Sequence, residues 1–398
     1  MTVLLIMGLM IITWAEDKVP EENKVNKGTV ITGNNAFALD LYAQLRKQEG
    51  NLFFSPYSIS TALAMTYVGA RGETEKQMAY VLRFDPDQSK FHPAFAQVIH
   101  DLTVEKKKGY ELNVANALWG QKGYKFLPEF LNLTNQSYGA GLRELDFATD
   151  SEAARQTINA WIEKQTNDKI KDLIQKNVLD KETRLVLTNA IYFKGNWDIK
   201  FDKEKTKDAP FTLINGEKIN VPMMRHKEIQ EFQYLKGDGF KALEISYVAN
   251  ELSMIIFLPD EINGLAELEK SMSLDNLTKW ISRLHRCKVD VLLPKFNLTS
   301  EFSLKHVFCA MGMVNAFSDA DFSGMIGKKE LAISEIIHKT FVDINEEGTK
   351  AAAATAVIMT LEGSGAELFH VDHPFIFLIR DVRSGSILFM GRVMNPKV

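Results

Sequence analysis

The segment that most constrains this chain lies near its C-terminal end. Glu346-Glu347-Gly348-Thr349-Lys350 leads into Ala351-Ala352-Ala353-Ala354-Thr355-Ala356, then Val357 to Leu361, Glu362 and the run Gly363-Ser364-Gly365-Ala366. Alanine favours helix, but no amphipathic stripe accompanies these alanines and glycine-rich sequence follows at once. At period 2, Thr349, Ala351, Ala353, Thr355, Val357 and Met359 fall on one face. Lys350, Ala352, Ala354, Ala356, Ile358 and Thr360 fall on the other. Small side chains on both faces suit a strand that slides between two others; an alanine-rich surface helix is the competing reading.

The rest of the chain is that of a large globular protein. Of 398 residues, 45% are hydrophobic and 25% charged, enough apolar material for a sizeable core. The net charge of -4 lacks the basic excess of a whole-protein nucleic-acid binder. Lys106-Lys107-Lys108 reads as a solvated loop, too short to assert a polyanion site. Val3 to Trp14 is apolar but far short of the ~20 residues a membrane helix needs. It fits a secretory signal cut before Glu16, or else a buried N-terminal strand. The expectation is a signal peptide over 1–15, a flexible tail over 16–33, one domain over 34–398 and an extracellular location.

Secretion makes other residues readable. Asn132, Asn135, Asn276 and Asn297 head glycan-acceptor triplets. Cys287 and Cys309 are the only cysteines, and their different settings suggest two buried free thiols. A helix is expected from Asn34 to Gly50, a strand at Leu52-Phe53-Phe54, and a helix begun by Ser55-Pro56 as N-cap and first-turn proline. Ala153 to Gln175 and Glu301 to Met311 also read as helical. Leu185–Phe193, Lys241–Tyr247 and Ser253–Leu258 read as strands. Pro374–Ile379 and Ser386–Met390 are almost wholly apolar around Arg383-Ser384-Gly385, the pattern of a hairpin buried on both faces. Helices dominate the first half and strands the second, so the fold class is α+β.

A search for catalytic chemistry is nearly empty. His370 and His373 lack an acidic partner at zinc spacing, and there is no nucleophile elbow, P-loop or H-E-x-x-H. Gly237-Asp238-Gly239 leads into a strand, unlike a dinucleotide turn. The chain is not expected to be an enzyme or to carry a metal or cofactor.

Four long motifs then appear in order: Asn51-LFFSPYSISTALAMTYVGARGET-Glu75, Leu187-TNAIYFKGN-Trp197, Phe341-VDINEEGTKAAAATA-Val357 and His373-PFIFLIRDVRSGSILFMGR-Val393. The chain resembles the serpin family over Asn34 to Pro396, closest to leukocyte elastase inhibitor-like and antitrypsin-like members. The resemblance implies three β-sheets, eight or nine helices and an exposed reactive-centre loop over 346–369. It implies a monomeric suicide substrate whose partner is a target endopeptidase, with no nucleic acid or membrane involved. The hinge would comprise Glu346, Glu347, Gly348, Thr349, Lys350, Ala351, Ala352, Ala353 and Ala354. Ser55, Ser58, Asn189 and His338 match the cluster where the main sheet parts; Lys295 and Glu346 match an ion pair at its top, near Trp197. Counting from Gly348 puts Glu362 before the scissile bond and Gly363 after it; a one-residue shift makes Leu361 the bait. An apolar-selective serine protease is the expected target. A papain-like cysteine protease selecting at Leu361, or a non-inhibitory carrier or chaperone, are the alternatives.

Overall fold

The computed structural model describes residues 26–103, 109–139, 141–347 and 365–397. The signal segment, the tail to residue 25, Lys106 to Lys108, the hinge from Gly348 to Ala354 and the bait residues Leu361, Glu362 and Gly363 lie outside them. Ten α-helices occur in the described residues: α1 (Lys27–Leu45), α2 (Pro56–Tyr67), α3 (Gly72–Leu82), α4 (Gln88–Thr103), α5 (Pro128–Tyr138), α6 (Phe147–Gln165), α7 (Leu265–Ser271), α8 (Leu274–Ser282), α9 (Lys305–Met311) and α10 (Ser323–Ile326). The strands of the first half are β1 (Leu52–Phe54), β2 (Tyr110–Gln121), β3 (Leu142–Leu145) and β4 (Leu185–Gly195). Those that follow are β5 (Lys207–Thr212), β6 (Lys218–Arg225), β7 (Gln230–Lys236), β8 (Phe240–Ser246), β9 (Leu252–Pro259), β10 (His285–Pro294), β11 (Phe296–Ser303), β12 (Glu335–Ile344), β13 (Glu367–His370), β14 (Phe375–Asp381) and β15 (Ile387–Val393).

The strands form a five-stranded sheet, ordered β11-β12-β4-β2-β3, and a ten-stranded one, β1-β15-β14-β9-β8-β7-β10-β6-β5, with β13 on β10. Two of the three expected sheets are thus continuous. β10 pairs with β7 through His285–Val289 and with β6 through Leu292–Pro294, bridging both.

Local chemistry explains the elements that position the site. The Ser55 Oγ accepts the Ser58 N–H, and Pro56 sits in the first turn of α2. Every residue of α2 is buried, and the hydroxyls of its buried Thr61 and Thr66 donate back to the Tyr57 and Ala62 carbonyls. The β14–β15 hairpin forms as its continuous apolar runs predict, with all but one of its fourteen residues buried. Burying each large apolar side chain there contributes about 1.5–3 kcal/mol.

Four expectations need correction. The first helix begins at Lys27, capped by the Asn26 side chain, so 27–33 is helix rather than tail. Gly33 is needed in that helix: a Cβ would stand 2.3 Å from the carbonyl oxygen of Arg83, the residue that caps α3. Residues 301–303 belong to β11, whose alternating burial is a period-2 pattern, and helix begins only at Lys305. Helix α6 ends at Gln165, and left-handed Asn167, Asp168 and Asp172 carry an irregular strap onward. Cys287 and Cys309 are free, but half-buried rather than buried. No helix of the described residues is long and apolar enough to cross a membrane.

Candidate functional site

The seam between β4 and β12 is the candidate site. These two strands run parallel, in register from Glu335 opposite Val186 to Val342 opposite Phe193. Across the sheet, one row reads Phe302, His338, Asn189, Asn116 from β11 to β2. His338 is fully buried; its Nδ1–H donates to the Asn189 Oδ1, and its Nε2 accepts the Ser55 N–H at 3.1 Å. Burial pushes the imidazole pKa down to about 3, so the ring is neutral, and both nitrogens are satisfied by that single tautomer.

Asn189 carries the network onward. Its Nδ2 donates to the Ser58 Oγ at 2.6 Å and to the Asn116 Oδ1. The Ser58 Oγ donates to the Asn116 Oδ1 at 3.0 Å, and the Ser55 Oγ to the Leu388 carbonyl at 2.7 Å. One residue pair further up, the Thr340 Oγ1 donates to the Phe53 carbonyl at 2.8 Å. Helix α2, β1, the seam and β15 therefore meet in one hydrogen-bonded cluster, in which Ser55, Ser58, Asn189 and His338 are wholly enclosed. A buried polar cluster of this kind holds its strands together only while every member is paired.

The top of the seam is fastened separately. The Lys295 Nζ donates to the Glu346 Oε2 at 2.9 Å; the carboxylate is 7% exposed and the lysine 46%. Burial works to raise the Glu346 pKa, but the hydrogen bonds led by Lys295 outweigh it and hold the group below its usual range. The Trp197 Nε1–H donates to the Asn345 carbonyl at 2.8 Å and the Trp197 N–H to the Glu347 carbonyl at 3.3 Å. Trp197 stacks on Tyr247 with ring centroids 4.5 Å apart. Glu347 pairs with Lys194 at 3.2 Å and Lys203 at 3.6 Å, which lower its carboxyl pKa. The end of β12 is thus clasped to the end of β4.

The outer face of the seam is covered. Ala115, Ala117, Trp119, Val186, Ala190 and Ile337 form a second core under α6 and the strap that follows it. The strap is pinned to α6 by Asn159, whose Nδ2 and Oδ1 bond the Ile174 carbonyl and N–H at 3.0 and 2.8 Å. From β12, the Lys339 Nζ donates to the Lys171 carbonyl at 2.9 Å. The seam is therefore buried on both faces, and any strand entering it must present small or apolar side chains to both.

The family resemblance singled out Ser55, Ser58, Asn189, His338, Trp197, Lys295 and Glu346, and the fold brings them to two places along one seam. It missed Asn116, Tyr247, Lys194 and Lys203. A polar Asn116 inside the run Val114-Ala115-Asn116-Ala117-Leu118 was a signal for the first; the others meet their partners only in three dimensions. The far end of the expected loop is also corrected: 367–370 is strand β13, with Phe369 fully buried against the core. Asn132, Asn135 and Asn297 are exposed, whereas Asn276 is half-buried and its Nδ2 donates to the Ser271 carbonyl at 2.7 Å. Among the described residues no group of three His, Cys, Asp or Glu side chains is placed to hold a metal ion.

A family profile described as serpin (serine protease inhibitor) matches residues 32–396. The chain is a serpin. Its relatives include the leukocyte elastase inhibitor of Xenopus laevis, 44% identical over 368 residues covering 90% of this serpin and 97% of that protein. The human leukocyte elastase inhibitor is 43% identical over 376 residues, covering 92% and 99%. Among solved structures, uncleaved ovalbumin superposes with a TM-score of 0.84 at 31% identity, over 92% of this serpin and 100% of that chain. The serpin fold and membership of a family of protease inhibitors are thereby shown. The α+β architecture expected from sequence is this serpin's fold.

Proposed function

We propose that this serpin inhibits an apolar-selective serine endopeptidase as a single-use substrate, through the segment between Glu346 and β13. One observation carries the reading: β4 and β12 are parallel neighbours, and the bait segment leaves the upper end of β12. A chain turning back at Gly348 would run antiparallel to both and gain a ladder on each side. Apart from Lys350, the small side chains of Thr349 to Ala356 suit the double-sided burial found there.

The chemistry follows from that geometry. The protease nucleophile attacks the bait carbonyl, the amine of the next residue leaves, and an acyl-enzyme links the protease to the N-terminal half of the cut segment. That half enters the seam, and ~15 residues at ~3.3 Å each carry the tethered protease about 50 Å. Hydrolysis of the acyl bond then fails in the displaced enzyme. The bait is Leu361 or Glu362, cut before Glu362 or Gly363. Leu361 suits the pocket of an elastase- or chymotrypsin-like enzyme, and the elastase inhibitors among the relatives support that class. We place the protein outside the cell: the family match starts at residue 32, leaving the apolar Val3–Trp14 stretch as an export signal. The exposed Asn132, Asn135 and Asn297 would then be glycan acceptors.

The test is incubation with pancreatic elastase and chymotrypsin. An SDS-stable complex should form, with a released C-terminal peptide starting at Glu362 or Gly363 by mass spectrometry. Leu361→Asp should weaken inhibition and Glu362→Arg should create trypsin inhibition. Complete cleavage with no covalent complex for these enzymes or papain would favour a carrier or chaperone instead. Protein secreted from cultured cells should begin at Glu16.

A further inference from the structure

The edge of a sheet presents unpaired N–H and C=O groups to any extended chain, and folded proteins blunt it with short strands, charge, proline, bulges or cover. Most edges of this fold are blunted in one of these ways. β1 has three residues, and β3 and β13 have four each. β5 has six and carries Lys207, Asp208 and Pro210. β11, which ends the five-stranded sheet beside β12, is different. It is eight residues long, about 26 Å at ~3.3 Å per residue.

β11 lies on β12 without a bulge, from Phe296 opposite Ile344 to Ser303 opposite Ile337. Its eight residues include no proline and no lysine. Its one charge, Glu301, is neutralised by Lys339 of β12 at 2.9 Å. Among the described residues no backbone group of β11 pairs with a strand other than β12. β1 touches it from the core side, where the Phe53 N–H donates to the Ser300 Oγ at 3.2 Å, a side-chain contact and not a ladder. What β11 carries instead is the acceptor triplet Asn297-Leu298-Thr299. Leu298 is buried in the core, while Asn297 and Thr299 are exposed on the outer face.

We propose that a glycan on Asn297 guards this edge, keeping β11 from pairing with an extended strand of a second copy of the chain. A glycan is bulky and solubilising and stays on the surface. A strand added to β11 would lie only ~4.8 Å from it, so an incoming chain meets the sugar before it completes a ladder. The guard stands where every other means of blunting the edge is missing, and β12 separates it from the seam with β4. The proposal rests on the extracellular reading, because this acceptor is used in exported chains. It is independent of whether any protease is inhibited.

The full chain, expressed in cultured animal cells, provides the test. Peptide mapping by mass spectrometry should find a glycan on Asn297. Self-association on mild heating is then followed by size-exclusion chromatography, at temperatures set relative to each variant's own unfolding midpoint. Asn297→Gln and Thr299→Ala both remove the acceptor and should associate about fivefold faster than the unmodified chain. Thr299→Lys removes it too but puts a charge on the strand, and should associate as slowly as the unmodified chain. The double variant Asn132→Gln, Asn135→Gln, which strips the acceptors on α5, should also leave the rate unchanged. An Asn297 left bare while Asn132 or Asn135 is occupied overturns the proposal. So does equal association of Thr299→Ala and the unmodified chain, or of Thr299→Ala and Thr299→Lys, since copies would then meet through another surface. A chain bare at all three acceptors would refute the extracellular reading itself, and the guard with it.

Discussion

The Lys295–Glu346 pair makes an asymmetric prediction. The carboxylate is 7% exposed and the ammonium 46%. Removing the lysine strands a buried charge; removing the carboxylate's charge leaves a lysine that water already reaches. A broken buried pair costs about 3–5 kcal/mol when the remaining charge is sealed. Glu346 is nearly sealed, but Thr206 also hydrogen-bonds to it and the lost partner is half in solvent. Lys295→Met should therefore cost roughly 2–3 kcal/mol, and Glu346→Gln under about 1 kcal/mol. The assay is the urea midpoint of the first unfolding transition at neutral pH, with native gels for polymers. The folded carboxyl pKa lies below its ordinary value of about 4.5, so its contribution is present above that value and fades as pH falls through the lowered one. The gap between Lys295→Met and Glu346→Gln should close in acid. Equal costs at neutral pH, or a greater cost for Glu346→Gln, would refute the argument that the buried partner decides the energetics.

Other expectations follow from the same seam. Asn189→Leu removes hydrogen-bond partners from His338, Ser58 and Asn116 at once and should cost about 3 kcal/mol or more, seen as polymers at mild heating; wild-type heat resistance would show that other contacts close the seam. Burial lowers the pKa of His338 to about 3 and of His92 and His226 to about 4, so the unfolded chain takes up protons first. Stability should be full above about pH 6.5 and decline towards about pH 4, and a flat urea midpoint between about pH 7 and about pH 5 would contradict this. Thr349→Arg should turn the inhibitor into a substrate, because an uncompensated arginine costs several kcal/mol to bury; an unchanged inhibitory stoichiometry would rule out insertion.

What the sequence disclosed tracks how local each signal is. Ser55-Pro56 specifies a helix start within two residues, and it forms. The period-2 set His338, Thr340, Val342, Ile344 marks the buried face of β12, and all four are buried. The hairpin at 375–393 needed only its two apolar runs. The failures involve distant partners. The helical turns before Asn34 pack only once the Arg83 carbonyl lies against Gly33. Lys194, Lys203 and Glu347 are ordinary surface charges in sequence, separated by some 150 residues, and become a clasp only when β4 and β12 lie side by side. Phe369 looked like the end of a loop because four residues are too few to show a period.

The cluster at the seam also sets an order on biosynthesis. Ser55 emerges from the ribosome early, yet its hydroxyl donates to Leu388, 333 residues later in the chain. β1 likewise finds its ladder partner only in β15, with Leu52 opposite Arg392. While translation is under way, the Ser55 hydroxyl and the ladder edge of β1 have no native partner, although β4 and β12 have already been made. A nascent chain stalled before Leu388 would carry the unpaired edge of β1 beside a seam that lacks the Ser55–Leu388 bond. An unpaired strand edge can pair with a second copy, so the last stretch of translation is a window in which protection of β1 counts.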